Sequence, residues 1–244
     1  MDKPDFSNLR CIYINCTLKK SPEKSHTTTL IEVSKRIMLK EKVQVDEIRF
    51  VDHQVAYGIF PDMKEHGWKN DEWPEIFKKV INADILVLAT PIWLGEKSSI
   101  AKKLIERLYA MSGQKNNKGQ YVYYGKVGGT IITGNEDGIK HCAMGILYSL
   151  QHIGYSIPPQ ADCGWIGEVG PGPSYGDKEW KGEKLEKPAG FDSEFTNKNT
   201  TFMTYNLLHL ASILKKQNGY HNYGNSVDKW EDGERWNYDN PEYR

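Results

Sequence analysis

Three loop-like stretches, each directly behind an apolar run, hold the residues whose types and spacing suit ligand chemistry. The first, CTLKKSPEKSHT (16–27), sets Thr17, Lys19, Ser21, Ser25 and Thr27 just ahead of a segment with helical periodicity. Unpaired N–H groups and the positive dipole end of a helix start attract an anion, and hydroxyls with a lysine suit a phosphate. The same residues also suit a helix cap followed by a solvated loop. GxxxxGK[ST] and GxGxxG are both absent, which excludes a nucleotide P-loop and a dinucleotide fingerprint. The second stretch, TPIWLGEKSS (90–99), offers Pro91, Ile92, Trp93, Leu94 and Gly95, which suit an apolar wall for a flat aromatic ligand or, in the case of Trp93, the core. The third, TGNEDG (133–138), flanks Asn135, Glu136 and Asp137 with two glycines. It reads either as a turn whose backbone approaches a ligand or as a tight turn with Asp137 capping a helix.

Positioning these stretches requires alternating strands and helices. The runs 9–15, 43–51, 84–93, 126–134 and 156–167 read as strands, the third the most continuously apolar and therefore central, with helices on both faces. Between them, Leu30, Val33, Ile37 and Met38 share one helix face. Helical spacing also runs through 71–83, 98–111 (with Ser98 or Ser99 as cap), 137–154 and 200–217. Five such units predict a doubly wound α/β fold whose ligand sits beyond the carboxyl ends of the strands, where the loops after strands one, three and four converge.

With 39% hydrophobic residues among 244, the chain has material for one sizeable core with elaborations. Thirty-two basic against thirty-two acidic residues leave no net field to favour nucleic acid or an anionic membrane. Four cysteines without CxxC spacing and an N-terminus without a signal-peptide pattern predict a cytoplasmic protein with free thiols. No apolar run approaches the roughly 20 residues of a bilayer span, so no membrane insertion is expected.

A phosphate site after strand one, an apolar wall after strand three and a glycine-bearing turn after strand four together describe a flat ring with a ribityl-type tail and a phosphate, which is flavin mononucleotide (FMN). Over roughly 9–167 the sequence resembles the flavodoxin-like NAD(P)H-dependent FMN reductases. NCTLKKSPEKSHT resembles their phosphate loop, TPIWLGEKSSIAKKLIERL their strand-three signature, and TGNEDGIKH their flavin-edge loop. The resemblance implies a five-stranded parallel sheet of order 2-1-3-4-5, bound FMN, and a homodimer or homotetramer with flavin sites near subunit contacts. By position it implies that Thr17, Lys19, Ser25, His26 and Thr27 hold the phosphate. It likewise implies that Pro91, Ile92, Trp93, Leu94, Gly95, Thr133, Gly134, Asn135, Glu136, Asp137 and Gly138 line the ring and ribityl. The first loop departs from the common pattern, with Cys16-Thr17 opening a longer loop where many members have Gly-Ser.

Such a flavin carries the hydride chemistry, so no catalytic side chain and no metal ligand is assigned. The expected reaction takes hydride from NADPH or NADH and passes electrons to a small acceptor such as a quinone or flavin, by a ping-pong mechanism. A flavodoxin-type carrier and a flavin-less scaffold are the alternatives. Residues 1–217 are read as the FMN-binding domain. Within it, 167–199 forms a Gly/Pro-rich insertion suited to a substrate lid or a mobile connection, with Tyr175 and Trp180 as its candidate aromatics. The extension 218–244 carries Tyr220, Tyr223, Trp230, Trp236, Tyr238 and Tyr243, a composition that argues for docking, with a neighbouring subunit as the preferred surface.

Overall fold

The computed structural model describes residues 4–170 and 172–236. In chain order the elements are β1 (Arg10–Asn15), α1 (His26–Lys40), β2 (Gln44–Arg49), α2 (Trp73–Asn82), β3 (Ile85–Trp93), β4 (Glu96–Lys97), α3 (Ser99–Met111), β5 (Val127–Asn135), α4 (Ile139–His152), β6 (Asp162–Gly167), β7 (Glu179–Trp180), β8 (Glu183–Lys184), α5 (Glu194–Lys216) and α6 (Val227–Glu231). Five strands pair in parallel in the order β2-β1-β3-β5-β6. Counting parallel strands alone, this is 2-1-3-4-5. The short β4 adds an antiparallel hairpin to the end of β3.

Strand periodicity divides the core into two layers. Ile12 and Ile14 of β1 face α2, α3 and α4, where Trp73, Phe77, Leu104, Leu108 and Ile146 are buried. Cys11 and Tyr13 face α1 and α5 with Leu30, Met38, Met203 and Leu207. Helices therefore cover both faces, as a sheet of nearly continuous apolar strands requires.

Three features differ from the sequence reading. The last helix begins at Glu194, six residues before the expected start, because Ser193 caps it by accepting the Thr196 N–H at 3.2 Å. The insertion correspondingly ends at 193. At the other end of the chain's second unit, Asp71 is not helical. Its carboxylate is buried, pairs with Arg107 at 2.8 Å and accepts the N–H groups of Ala56 and Met63. The third difference concerns the extension, which docks on the chain's own loop ahead of β5, at the amino ends of the strands. Gln120 Nε2 donates to the His221 carbonyl at 3.1 Å, and Lys115 pairs with Asp228 at 2.7 Å. Lys118 donates to the carbonyls of Asn218 and Tyr220. Tyr238 and Tyr243 lie outside the described residues.

Candidate functional site

At the opposite edge, the loops that follow β1, β3 and β5 converge on one cavity of about 540 Å³. That volume suits a small-molecule ligand. Leu18, Trp165, Ser174 and Tyr175 complete walls otherwise built from expected site residues.

The loop after β1 is shaped by Asn15, whose Oδ1 accepts the Thr17 N–H at 3.0 Å and whose Nδ2 donates to Thr28 Oγ1 at 2.7 Å. Thr17, Lys19, His26 and Thr27 line the cavity. Ser25 does not. Its hydroxyl accepts the Thr28 N–H at 3.3 Å and caps α1, so it acts on the helix start and not on the cavity. The first turn of α1 carries no acidic residue. Acidic side chains are favoured at that position, and without one the dipole and the terminal N–H groups other than that of Thr28 are left for an external anion. Beneath the loop, the Arg49 guanidinium donates to the Glu23 carbonyl at 2.9 Å and reaches Thr28 Oγ1 at 3.4 Å, adding a fixed positive charge.

The loop after β3 is a hairpin. Leu94 and Gly95 both have positive φ, 52° and 76°, the backbone of a two-residue turn that matches strand twist, and Ile92 and Trp93 pair with Lys97 and Glu96. Pro91, Ile92, Trp93 and Leu94 line the cavity, whereas Gly95 faces an adjacent shallow cleft. Trp93 is 55% and Leu94 99% exposed, which makes them a wall open to solvent and removes Trp93 from the core. Ser98 fixes the base of this hairpin to the first loop. Its hydroxyl donates to the Cys16 carbonyl at 2.7 Å and accepts the Ala101 N–H at 3.1 Å, while its own N–H meets Thr90 Oγ1 at 3.0 Å.

After β5, Thr133, Gly134, Asn135 and Glu136 line the cavity. Thr133 Oγ1 lies 2.8 Å from Thr27 Oγ1 and joins this loop to the first. The two glycines serve a different approach from the one the sequence suggests. A Cβ on Gly134 would fall 2.8 Å from Ile92 Cβ, and one on Gly138 2.8 Å from the Gly95 carbonyl oxygen. Gly134 thereby makes room for the Ile92 side chain, and Gly138 lets the β5 loop pack directly on the backbone of the β3 hairpin. Gly138, at φ 109°, occupies the cap position of α4 that the sequence reading gave to Asp137. Asp137 and Gly138 line the shallow cleft with Gly95 and His141.

The insertion supplies the remaining wall. Tyr175 is buried between Trp165 and Phe191, and its carbonyl oxygen lies 3.0 Å from His26 Nδ1. Trp180 sits in the separate β7–β8 hairpin. No local pattern marks Trp165 or Ser174 as cavity residues. Tyr175 stands out only as an aromatic in a Gly/Pro-rich stretch.

Electrostatics place charge at the rim. The Glu96 carboxyl is held at about 2 by hydrogen bonds from His141 at 2.6 Å and Lys97 at 3.1 Å. Burial pushes the Cys163 thiol up to about 12 and raises Cys11, Cys16 and Cys142, so none of the four is poised as a thiolate. Among the described residues no group of three or more His, Cys, Asp or Glu side chains is placed to hold a metal ion. The cavity thus joins an anion-attracting helix start to an apolar slot.

Residues 10–162 match the family described as NADPH-dependent FMN reductase. The chain is 36% identical over 213 residues to the 8-demethyl-8-aminoriboflavin-5'-phosphate synthase of Streptomyces davaonensis, covering 85% of this chain and 79% of that protein. It is 59% identical over 212 residues to a Mycobacterium bovis protein named divalent metal cation transporter MntH. That match covers 87% of this chain but spans 30% of the transporter's length. Among the described residues no helix is long and apolar enough to cross a membrane. The crystal structure of RosB with bound 8-demethyl-8-formylriboflavin-5'-phosphate superposes with a TM-score of 0.75 at 30% identity, covering 97% of this chain and 94% of that one.

Proposed function

The chain belongs to the NADPH-dependent FMN reductase family, and from that membership we propose that it is an FMN-dependent oxidoreductase taking hydride from NADPH or NADH and passing electrons to a small acceptor. The observation that carries this reading is the joining, in one cavity of about 540 Å³, of the acid-free start of α1 with the apolar Pro91–Leu94 wall. These residues fit the group. Thr17, Lys19, His26 and Thr27 would hold the phosphate, with Ser25 acting through the helix cap. Pro91, Ile92, Trp93 and Leu94 would wall the ring, and Thr133, Gly134, Asn135 and Glu136 would meet its edge and the ribityl chain. Gly95, Asp137 and Gly138 support these loops from the neighbouring cleft.

Bound there, the flavin supplies the two-electron chemistry. The chain's own residues bind, orient and shield. Buried Thr27 and Thr133 hold two loops together, so the ligand meets donors already in place, which lowers the ordering cost of binding. Trp93 and Leu94 leave one side of the slot open, where nicotinamide and acceptor would bind in turn, giving ping-pong kinetics. The family resemblance supports a homodimer or homotetramer, and the buried thiols are consistent with a cytoplasmic setting.

A second reading takes FMN as the substrate whose ring is altered. The 36% identity to a flavin-modifying synthase over most of both chains favours it. Incubation with FMN, with and without NADPH, followed by mass spectrometry of the recovered flavin separates the two. Flavin returned unchanged after many turnovers supports the reductase, a flavin of altered mass supports the synthase, and failure to bind FMN at all overturns both.

A further inference from the structure

Segment 172–178 of the insertion spans the cavity from one loop to another. At one side Asn135 Nδ2 donates to the Gly172 carbonyl at 3.2 Å. At the other, His26 meets the Tyr175 carbonyl at 3.0 Å, and Lys24 Nζ pairs with Asp177 Oδ1 at 2.7 Å. Asp177 is the centre of this arrangement. Its second oxygen accepts the Ser174 N–H at 2.8 Å and closes the turn, and its first lies 3.7 Å from His26 Nδ1. Burial would raise the Asp177 carboxyl, but the hydrogen bonds from Lys24 and the Ser174 N–H leave it below its usual value, so it is ionised. The segment is braced from behind. Gly176 N–H donates to the Ala189 carbonyl and Ala189 N–H to the Asp177 carbonyl, both at 2.8 Å. Gly176 lies so near α1 that a Cβ there would fall 2.6 Å from Thr29 Cγ2.

The contacts on the α1 side fall on Lys24 and His26, which flank the helix start assigned to the phosphate. A carbonyl oxygen only accepts, so His26 Nδ1 carries a proton, and Nε2, the ring nitrogen that bond leaves for the cavity His26 lines, donates to a phosphate oxygen when it carries a second one. We propose that Asp177 is a positioning residue that makes 172–178 a clasp over the phosphate end of the cavity, so that the protein distinguishes phosphorylated from unphosphorylated flavin and releases the phosphorylated form slowly. The proposal rests on the FMN reading above. Its logic is local. Lys24 neutralises the carboxylate that would otherwise repel a phosphate, and the Tyr175 carbonyl orients His26. The ring wall, Pro91–Leu94, stands on a different loop and is untouched.

The test compares FMN with riboflavin on the full chain, by flavin fluorescence at equilibrium and by stopped-flow release, in wild type, Asp177→Asn and Lys24→Met. Both variants should release FMN about two- to fivefold faster, the range a part-exposed charge pair supports, and should bind riboflavin as wild type does. Lys24→Met breaks the same pair without touching the insertion, so it carries the test if Asp177→Asn does not fold. Equal weakening for both flavins would mean general loosening and overturn the clasp, as would FMN held as tightly as before or more tightly by a freed Lys24. Wild type that binds neither flavin overturns the FMN reading itself, whereas wild type that binds FMN while both variants match it overturns the clasp alone.

Discussion

Ser98→Ala tests whether one hydroxyl positions two of the three site loops. The side chain caps α3 and also donates to the buried Cys16 carbonyl at the root of the first loop. Losing an N-cap costs about 0.5–2 kcal/mol. Leaving a buried carbonyl without its donor costs about 1–3 kcal/mol more. Together these predict a loss of about 1.5–5 kcal/mol in denaturant unfolding and, for a domain of this size, a melting temperature lower by about 3–20 °C. Because the first loop is then free to shift relative to the β3 hairpin, FMN affinity should fall as well. Ser99→Ala, at an exposed neighbouring position, is the control and should change stability by less than about 0.5 kcal/mol. A Ser98→Ala protein that loses stability but keeps wild-type FMN affinity would refute the positioning argument. One that loses neither would refute the hydrogen-bond accounting too.

Thr17→Ala should weaken FMN binding about 10- to 150-fold without unfolding the protein, as expected for one hydrogen bond to a charged group; unchanged affinity by fluorescence titration would move the phosphate elsewhere. Trp93→Ala, at a half-exposed wall residue, should leave the melting temperature nearly unaltered while changing steady-state kinetics with bulky acceptors more than with nicotinamide. A marked fall in melting temperature would contradict its placement. The Glu96 carboxyl, held at about 2 against an ordinary 4.5, contributes stability that is full above about pH 4.5 and is lost as the pH falls through 2. Glu96→Gln should therefore flatten the acid limb of the melting-temperature profile, and an unchanged limb would show that its contacts with His141 and Lys97 are too exposed to matter.

Much of the sheet was legible because strands buried on both faces are written as continuous apolar runs, and 84–93 is the clearest of these. Less was legible where polar residues are buried by bonding within the fold. Thr196 and Thr200 face the core, one donating to the Gly164 carbonyl at 3.1 Å and the other to its own helix, so the first turns of α5 read as polar loop. Arg107, fully buried, looks like a solvent-facing helix residue until Asp71 and the carbonyls of Gly58, Phe60 and Pro61 surround it. The three loops of the site could be named from their chemistry, since each follows a strand. What each residue does within them depends on contacts between loops. Ser25 is spent on a helix cap, Gly138 on the approach to Gly95, and Arg49, Trp165 and Tyr175 arrive from distant parts of the chain.

The central claim is that this cavity holds an FMN that a nicotinamide reduces. The most direct measurement is the visible spectrum of the FMN-loaded protein under anaerobic conditions during stepwise addition of NADPH and, separately, NADH. Bleaching of the oxidised-flavin band by one equivalent of either nucleotide, and its return when a quinone is added, is the predicted result. A flavin band that stays unbleached by both nucleotides would contradict the account.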